Sequence, residues 1–132
     1  MVDAYKLGLK FQGSGIAATG AFVREHRTVV EAFFKGFLEG VAYAKQHREE
    51  SIQLIMEFMK LKGRDEAEET YQVIIQDIQP RNPYPLKEGV ETVLRNIESM
   101  VPKAKTVKAE DLVDDSVLRK LDQSGFIDNL YR

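Results

Sequence analysis

Few of the residue types that carry chemistry occur in this chain at a spacing that would let them act together. His26 and His47 are the only histidines, and each sits beside arginine and glutamate near an expected helix end. Two histidines far apart in sequence, with no carboxylate at ligand spacing, do not describe a metal site. They read instead as helix-terminal groups, and a histidine at a helix C-terminus, as His47 would be, gains from the helix dipole. Gly13-Ser14-Gly15 is the one glycine-rich loop. A phosphate cradle needs a strand before it, a helix N-terminus after it and a further glycine or a Lys-Ser/Thr pair at set spacing. Gly20 comes too late and no lysine follows at that spacing, so a hinge turn is the better reading. The acidic groups Glu49-Glu50, Glu66-Glu68-Glu69 and Asp114-Asp115 lack the alternating oxygens around a glycine that a calcium loop requires. Solvated helix starts account for all three. No nucleophile has an adjacent base and cysteine is absent, so the expectation is a protein without catalysis, metal or cofactor.

The elements that would position these residues are mostly helices. The end of the chain is the clearest. Asp114 or Asp115 can cap a helix over Ser116–Gln123, whose buried stripe is Val117, Leu118 and Leu121. Gly125 can take the left-handed conformation that stops it, and Phe126, Ile127, Leu130 and Tyr131 then pin the terminus. Upstream, Thr28 and Glu31 match a capping box for a helix whose wide apolar stripe is Val30, Phe33, Phe34, Phe37, Val41 and Ala44. Gly36 and Gly40 on it suggest either close approach by another backbone or a weakened exposed face. Ile52, Ile55, Met56 and Met59 give a second helix ending near Gly63. Asp65 with Glu68 caps a third, whose inner face is Ala67, Tyr71, Ile74 or Ile75, and Ile78. Pro80, Pro83 and Pro85 impose a stiff connector. A further helix spans about 86–100, with Val90, Val93, Leu94 and Ile97 facing inward. Leu7, Leu9 and Phe11 alternate with Gly8 and Lys10 at strand period, and Gly13–Gly20 reads as a second short strand or a hinge. The fold class is therefore mostly α with a small β component, in one domain over 1–132: a strand and hinge segment at 1–20 and helices at 21–132.

This tail, the run Asp77-Ile-Gln-Pro-Arg-Asn-Pro-Tyr-Pro85, the helix Val29–Ala44 and the segment Gly13–Thr19 together resemble the C-terminal part of solute-binding proteins of ABC importers, in the nitrate/sulfonate/taurine group. The resemblance covers nearly the whole chain but less than half the usual length of that family. It implies the C-terminal helical portion of a two-lobe α/β periplasmic binding protein, with residues 21–132 the helical part of the first lobe and Gly13–Thr19 crossing between lobes. Gln12 and Ser14 would then edge the ligand cleft. A small anionic or nitrogen- or sulfur-containing solute and a membrane permease are the implied partners of the whole protein, while this part is mainly scaffold and binds no solute alone. The related thiamine-pyrimidine enzymes would need a histidine-based site that these residues do not supply.

Composition narrows the alternatives. A formal charge of −2, with both signs well mixed, offers no basic stripe for nucleic acid. No apolar run reaches the length of a membrane span and no signal peptide is evident. The parent family is periplasmic or lipid-anchored outside the cell, whereas this chain expressed as it stands is expected in the cytoplasm. Helices made to cover a sheet leave an apolar face bare when the sheet is missing, so a homo-oligomer is expected. The competing reading is a self-standing helical protein–protein interaction module that closes its own core as a monomer.

Overall fold

The helix expected around Thr28 is the organising element of the structure. The computed structural model describes residues 10–12 and 14–132. In it, α1 (Gly20–Glu25) leads at His26 into the twenty-residue α2 (Arg27–Gln46). There follow α3 (Arg48–Met59) and α4 (Arg64–Thr70), which runs on as a π-helical segment, Tyr71–Ile78. After the proline connector come α5 (Lys87–Ile97), a 3-10 turn (Pro102–Lys105), α6 (Ala109–Leu112), α7 (Ser116–Gln123) and α8 (Phe126–Asn129). The chain is mostly α, and none of its described residues forms a strand. Leu7, Leu9 and Gly13 lie outside the described residues. Phe11 is exposed, and residues 14–19 are irregular backbone ending at Thr19, whose hydroxyl accepts from Phe22 N and caps α1. A strand needs a paired neighbour and a face to bury, and the small side chains of 14–19 provide little of either.

One core lies where α2 meets α7 and α8. Leu38, Leu118, Leu121 and Ile127 are buried there, bordered by Phe34, Phe37, Val117, Phe126, Leu130 and Tyr131. The stripe on α2 is thus centred on Leu38, Val41 and Ala42, and Phe33 faces outward. The Thr28–Glu31 capping box is not made. Helix α2 begins before Thr28, and Glu31 pairs with Lys35 at 3.0 Å and with Lys120 from α7. Among the described residues nothing lies within 4 Å of where a Cβ on Gly36 or Gly40 would stand, so these glycines weaken an exposed face.

A second core gathers Ile52, Ala67 and Tyr71, with Ile55, Met56, Leu61 and Ile75 around it. Helix α3 stops at Lys60 and not at Gly63. Lys60 takes the left-handed conformation (φ 55°), and Leu61 N donates back to Met56 O at 2.9 Å. This is a Schellman closure, and Leu61 packing onto the core supplies the apolar contact that accompanies it. Asp65 and Glu68 make no cap; Gly63 is the N-cap and Glu68 pairs with Arg64 at 2.8 Å.

The third group is α5 with the 3-10 turn and α6, where Gly89, Ala104 and Ala109 are buried and Val90, Val93, Leu94 and Ile97 are half-buried. Among the described residues no helix is long and apolar enough to cross a membrane.

Candidate functional site

The proline connector and the C-terminal tail, two of the segments that stand out in the sequence, meet in a polar seam. Pro80, Pro83 and Pro85 keep residues 79–86 out of any helix, so Arg81, Asn82 and Tyr84 are presented sideways to α7 and α8. Asn82 Nδ2 donates to Asp122 Oδ1 at 3.0 Å and Tyr84 Oη donates to Asp122 Oδ2 at 2.8 Å. Arg81 bonds Asp128 and lies 4.5 Å from the centre of the Tyr131 ring, a cation–π distance. Arg119, held by Asp115 at 2.6 Å, stands 5.7 Å from the Tyr84 ring.

The electrostatics follow from these partners. The hydrogen bond to Asp122 raises the Tyr84 phenol above the usual tyrosine value, and partial burial adds to that. Burial raises Tyr131, opposed by the Arg81 charge; its hydroxyl is buried and finds no hydrogen-bond partner among the described residues. Asp115 is lowered chiefly by Arg119. At the start of α7, Asp114 Oδ1 accepts from Ser116 N at 2.9 Å, and its carboxyl is lowered first by the Ser116 side chain and then by that backbone bond. Each carboxylate of the seam is therefore engaged with a donor on the chain. The arrangement fastens connector to tail.

Gln12 and Ser14 do not lie in this seam. The Gln12 side-chain carbonyl accepts from Leu86 N at 3.0 Å, and its amide donates to the Ser14 carbonyl. Leu86 is the N-cap of α5. Gln12 thus spends both ends of its amide on the chain, clamping the N-terminal segment to the start of α5, while Ser14 is exposed. The clamp is tight because Gly89 leaves room: a Cβ there would stand 2.7 Å from Gln12 N and 3.0 Å from Phe11 C. Beside it, an open groove of about 800 Å³ is lined by Lys10, Phe11, Glu88, Glu91, Thr92 and Arg95, with Lys10 and Glu88 paired across it. No residue of that groove is among the buried ones.

The histidines occupy the expected helix ends. His26 joins α1 to α2 and lies 4.8 Å from the Phe22 ring. His47 joins α2 to α3 and stacks on Tyr43 at 3.9 Å, while the Tyr43 hydroxyl donates to Glu50 and is raised mainly by that bond. Glu49 and Glu50 fall in the first turn of α3. Among the described residues no group of acids and histidines is assembled around a possible metal position. Asp122 and Asp128, the acceptors that hold the seam together, carry no local signal: each is one acid on a short helix whose partner lies far away in sequence. Comparison with protein families, with curated proteins and with solved structures returns no match for this chain.

Proposed function

We propose that the chain is a helical scaffold, and specifically the C-terminal helical part of an ABC importer's solute-binding protein for a small anionic or nitrogen- or sulfur-containing solute. The observation that carries the scaffold reading is apolar surface left over on regular helices. On α2, Val29 and Phe33 point outward one turn apart; on α3, Leu54 and Phe58 do the same, with Phe58 90% exposed. An i, i+4 apolar pair on an outer helix face is the pattern of a helix that covers something else. The solute-binding assignment rests on the sequence resemblance. In that setting Gln12 and the following segment anchor the crossing between lobes, the seam holds the tail, and the solute is met by residues elsewhere. The scaffold takes no catalytic part.

Complementation tests this. The chain is refolded with the N-terminal sheet and second lobe of a taurine-type binding protein, and taurine binding is read by calorimetry. Saturable binding by the mixture, with none by either part alone, supports the assignment. A chain that stays apart from the other lobe and leaves it inert refutes it.

The second reading is a self-standing interaction module, favoured by the core that Leu38 closes with Leu118, Leu121 and Ile127 without outside help. It predicts a monomer by light scattering at high concentration with one cooperative melt, whereas the scaffold reading predicts a homo-oligomer.

A further inference from the structure

The segment Tyr71–Ile78 contradicts its own sequence. In an α-helix Ile78, seven residues on, would return to within about 20° of Tyr71, and Ile74 and Ile75 would flank the same face. The sequence thus offers Tyr71, Ile74 or Ile75, and Ile78 as one buried stripe. The structure buries Tyr71 and half-buries Ile75, yet leaves Ile74 49% and Ile78 52% exposed. The cause is the helix type. An i→i+5 ladder turns each residue by roughly 80° and not 100°, which carries positions 74 and 78 to the outside and swings 76 to the side of Tyr71. Gln76 accordingly donates to the Tyr71 hydroxyl at 2.7 Å, and that hydroxyl donates to Ala44 O at 3.0 Å.

An eight-residue π-helix is unusual, and such turns persist where something outside the helix holds them. Here the holder is α2. Gln79 N donates to Ile74 O at 3.0 Å, five residues back. In an α-helix that amide would bond Ile75 O, and Ile75 O already accepts the Lys45 ammonium. In the wide register Ile75 O would look to residue 80, a proline without an N–H, so Lys45 supplies the donor that this register lacks.

We propose that Tyr71–Ile78 is a two-register segment latched in its wide form by Lys45. Latched, it shows Ile74 and Ile78 to solvent. Released, it tightens to an α-helix, Gln79 N takes over Ile75 O, and the two isoleucines turn onto the Tyr71 core. The device sets how much apolar surface this side of the molecule presents, without unfolding.

The chain has no cysteine, so one introduced thiol reports cleanly. Ile78→Cys is labelled with a thiol reagent in the parent chain and with Lys45→Met, with Phe58→Cys as the control. The expected result is labelling at position 78 that slows several-fold with Lys45→Met and stays fast with Lys45→Arg, which keeps a donor, while the control is unchanged. Unchanged labelling at position 78 with Lys45→Met overturns the latch. So does faster labelling at both positions, which would make Lys45 a prop of the whole fold. Hydrogen-bond scalar couplings give an independent readout: the Gln79 nitrogen should couple to the Ile74 carbonyl in the parent chain and to the Ile75 carbonyl with Lys45→Met. Coupling to Ile74 in both proteins also overturns the proposal.

Discussion

Tyr84 donates its phenolic proton to Asp122 at 2.8 Å across 38 residues of chain, and the same carboxylate accepts from Asn82 at 3.0 Å. One acid thereby ties a connector stiffened by prolines to the helix that anchors the terminus. A hydrogen bond to a charged acceptor contributes more than a neutral one, but this pair is partly open to water. Tyr84→Phe should therefore cost about 0.5–1 kcal/mol and Asp122→Ala, which strands two donors, about 1–2 kcal/mol. In a double-mutant cycle by urea unfolding the two changes should not add, since they remove one shared bond. Additive costs would mean the bond contributes nothing.

The same contact fixes a pH dependence. Tyr84 is raised in the folded protein, so its contribution is fully present below the unfolded tyrosine value near 10 and is lost as pH rises through the folded value. Stability measured above about pH 10 should fall with a shallower slope in Tyr84→Phe than in the parent chain. The slope should not vanish, because Tyr43 and Tyr131 are raised as well.

At the acid end the lever is Asp114. Its carboxyl is lowered by Ser116, so the stability it contributes is present above its unfolded value of about 4 and lost as pH falls through the lower folded value. Asp114→Ala should cost about 1 kcal/mol at neutral pH, the usual worth of a side-chain oxygen bonded to a free amide at a helix start. The cost should shrink as pH falls through the lowered folded value, where the parent carboxylate itself becomes protonated, with thermal unfolding at several pH values as the measurement. A cost that stays constant with pH would place the effect elsewhere.

How far the sequence led can be judged from α7 and its surroundings. The run Ser116–Gln123 was bounded by residues acting within one turn, namely Asp114 before it and Gly125 (φ 75°) after it, and both act as their types predict. The capping box at Thr28 failed because Glu31 had a competitor, Lys120, that is 89 residues away and invisible to local reasoning. Asp122 and Asp128 were missed for the same reason. The prolines at 80, 83 and 85 announce a stiff connector, but nothing local says that Tyr84 within it meets Asp122. At Tyr71–Ile78 the period of the apolar residues is that of an α-helix, whereas the structure has a π-helix with a lysine from another helix on its Ile75 carbonyl, a contact no local pattern announces. Gly89 gave no sign at all, since a glycine inside a helix reads as a weakness until the backbone of Gln12 is seen lying on it.

That contact carries its own prediction. Gly89→Ala should gain roughly 1 kcal/mol of helix propensity in α5 and lose more, because its Cβ would press within 2.7 Å of Gln12 N, a backbone atom with no soft way to yield. The segment at 10–12 must lift, breaking the bond from Leu86 N to Gln12. Amide exchange at Leu86 should therefore speed up while amides around Leu38 keep their protection. An unchanged Leu86 would mean that Gln12 does not clamp α5.

The uncovered helix faces make the last prediction. Leu54 and Phe58 stand one turn apart on α3 and are 58% and 90% exposed, and Val29 and Phe33 repeat the arrangement on α2 at 54% and 53%. Burying a few hundred Å² of such surface against another copy would contribute several kcal/mol at about 25 cal/mol per Å², set against a similar entropy cost of association. Self-association should therefore be real but dependent on concentration. Size-exclusion chromatography with light scattering should show mass rising above 15.1 kDa as the loading concentration increases. If one face dominates, Phe58→Glu or Phe33→Glu should return the chain to a monomer whose melting temperature no longer depends on concentration and matches that of the dilute parent, because neither side chain belongs to a core cluster. A parent chain that remains monomeric throughout would favour the self-contained module, with the apolar pairs on α2 and α3 reserved for a partner of another kind.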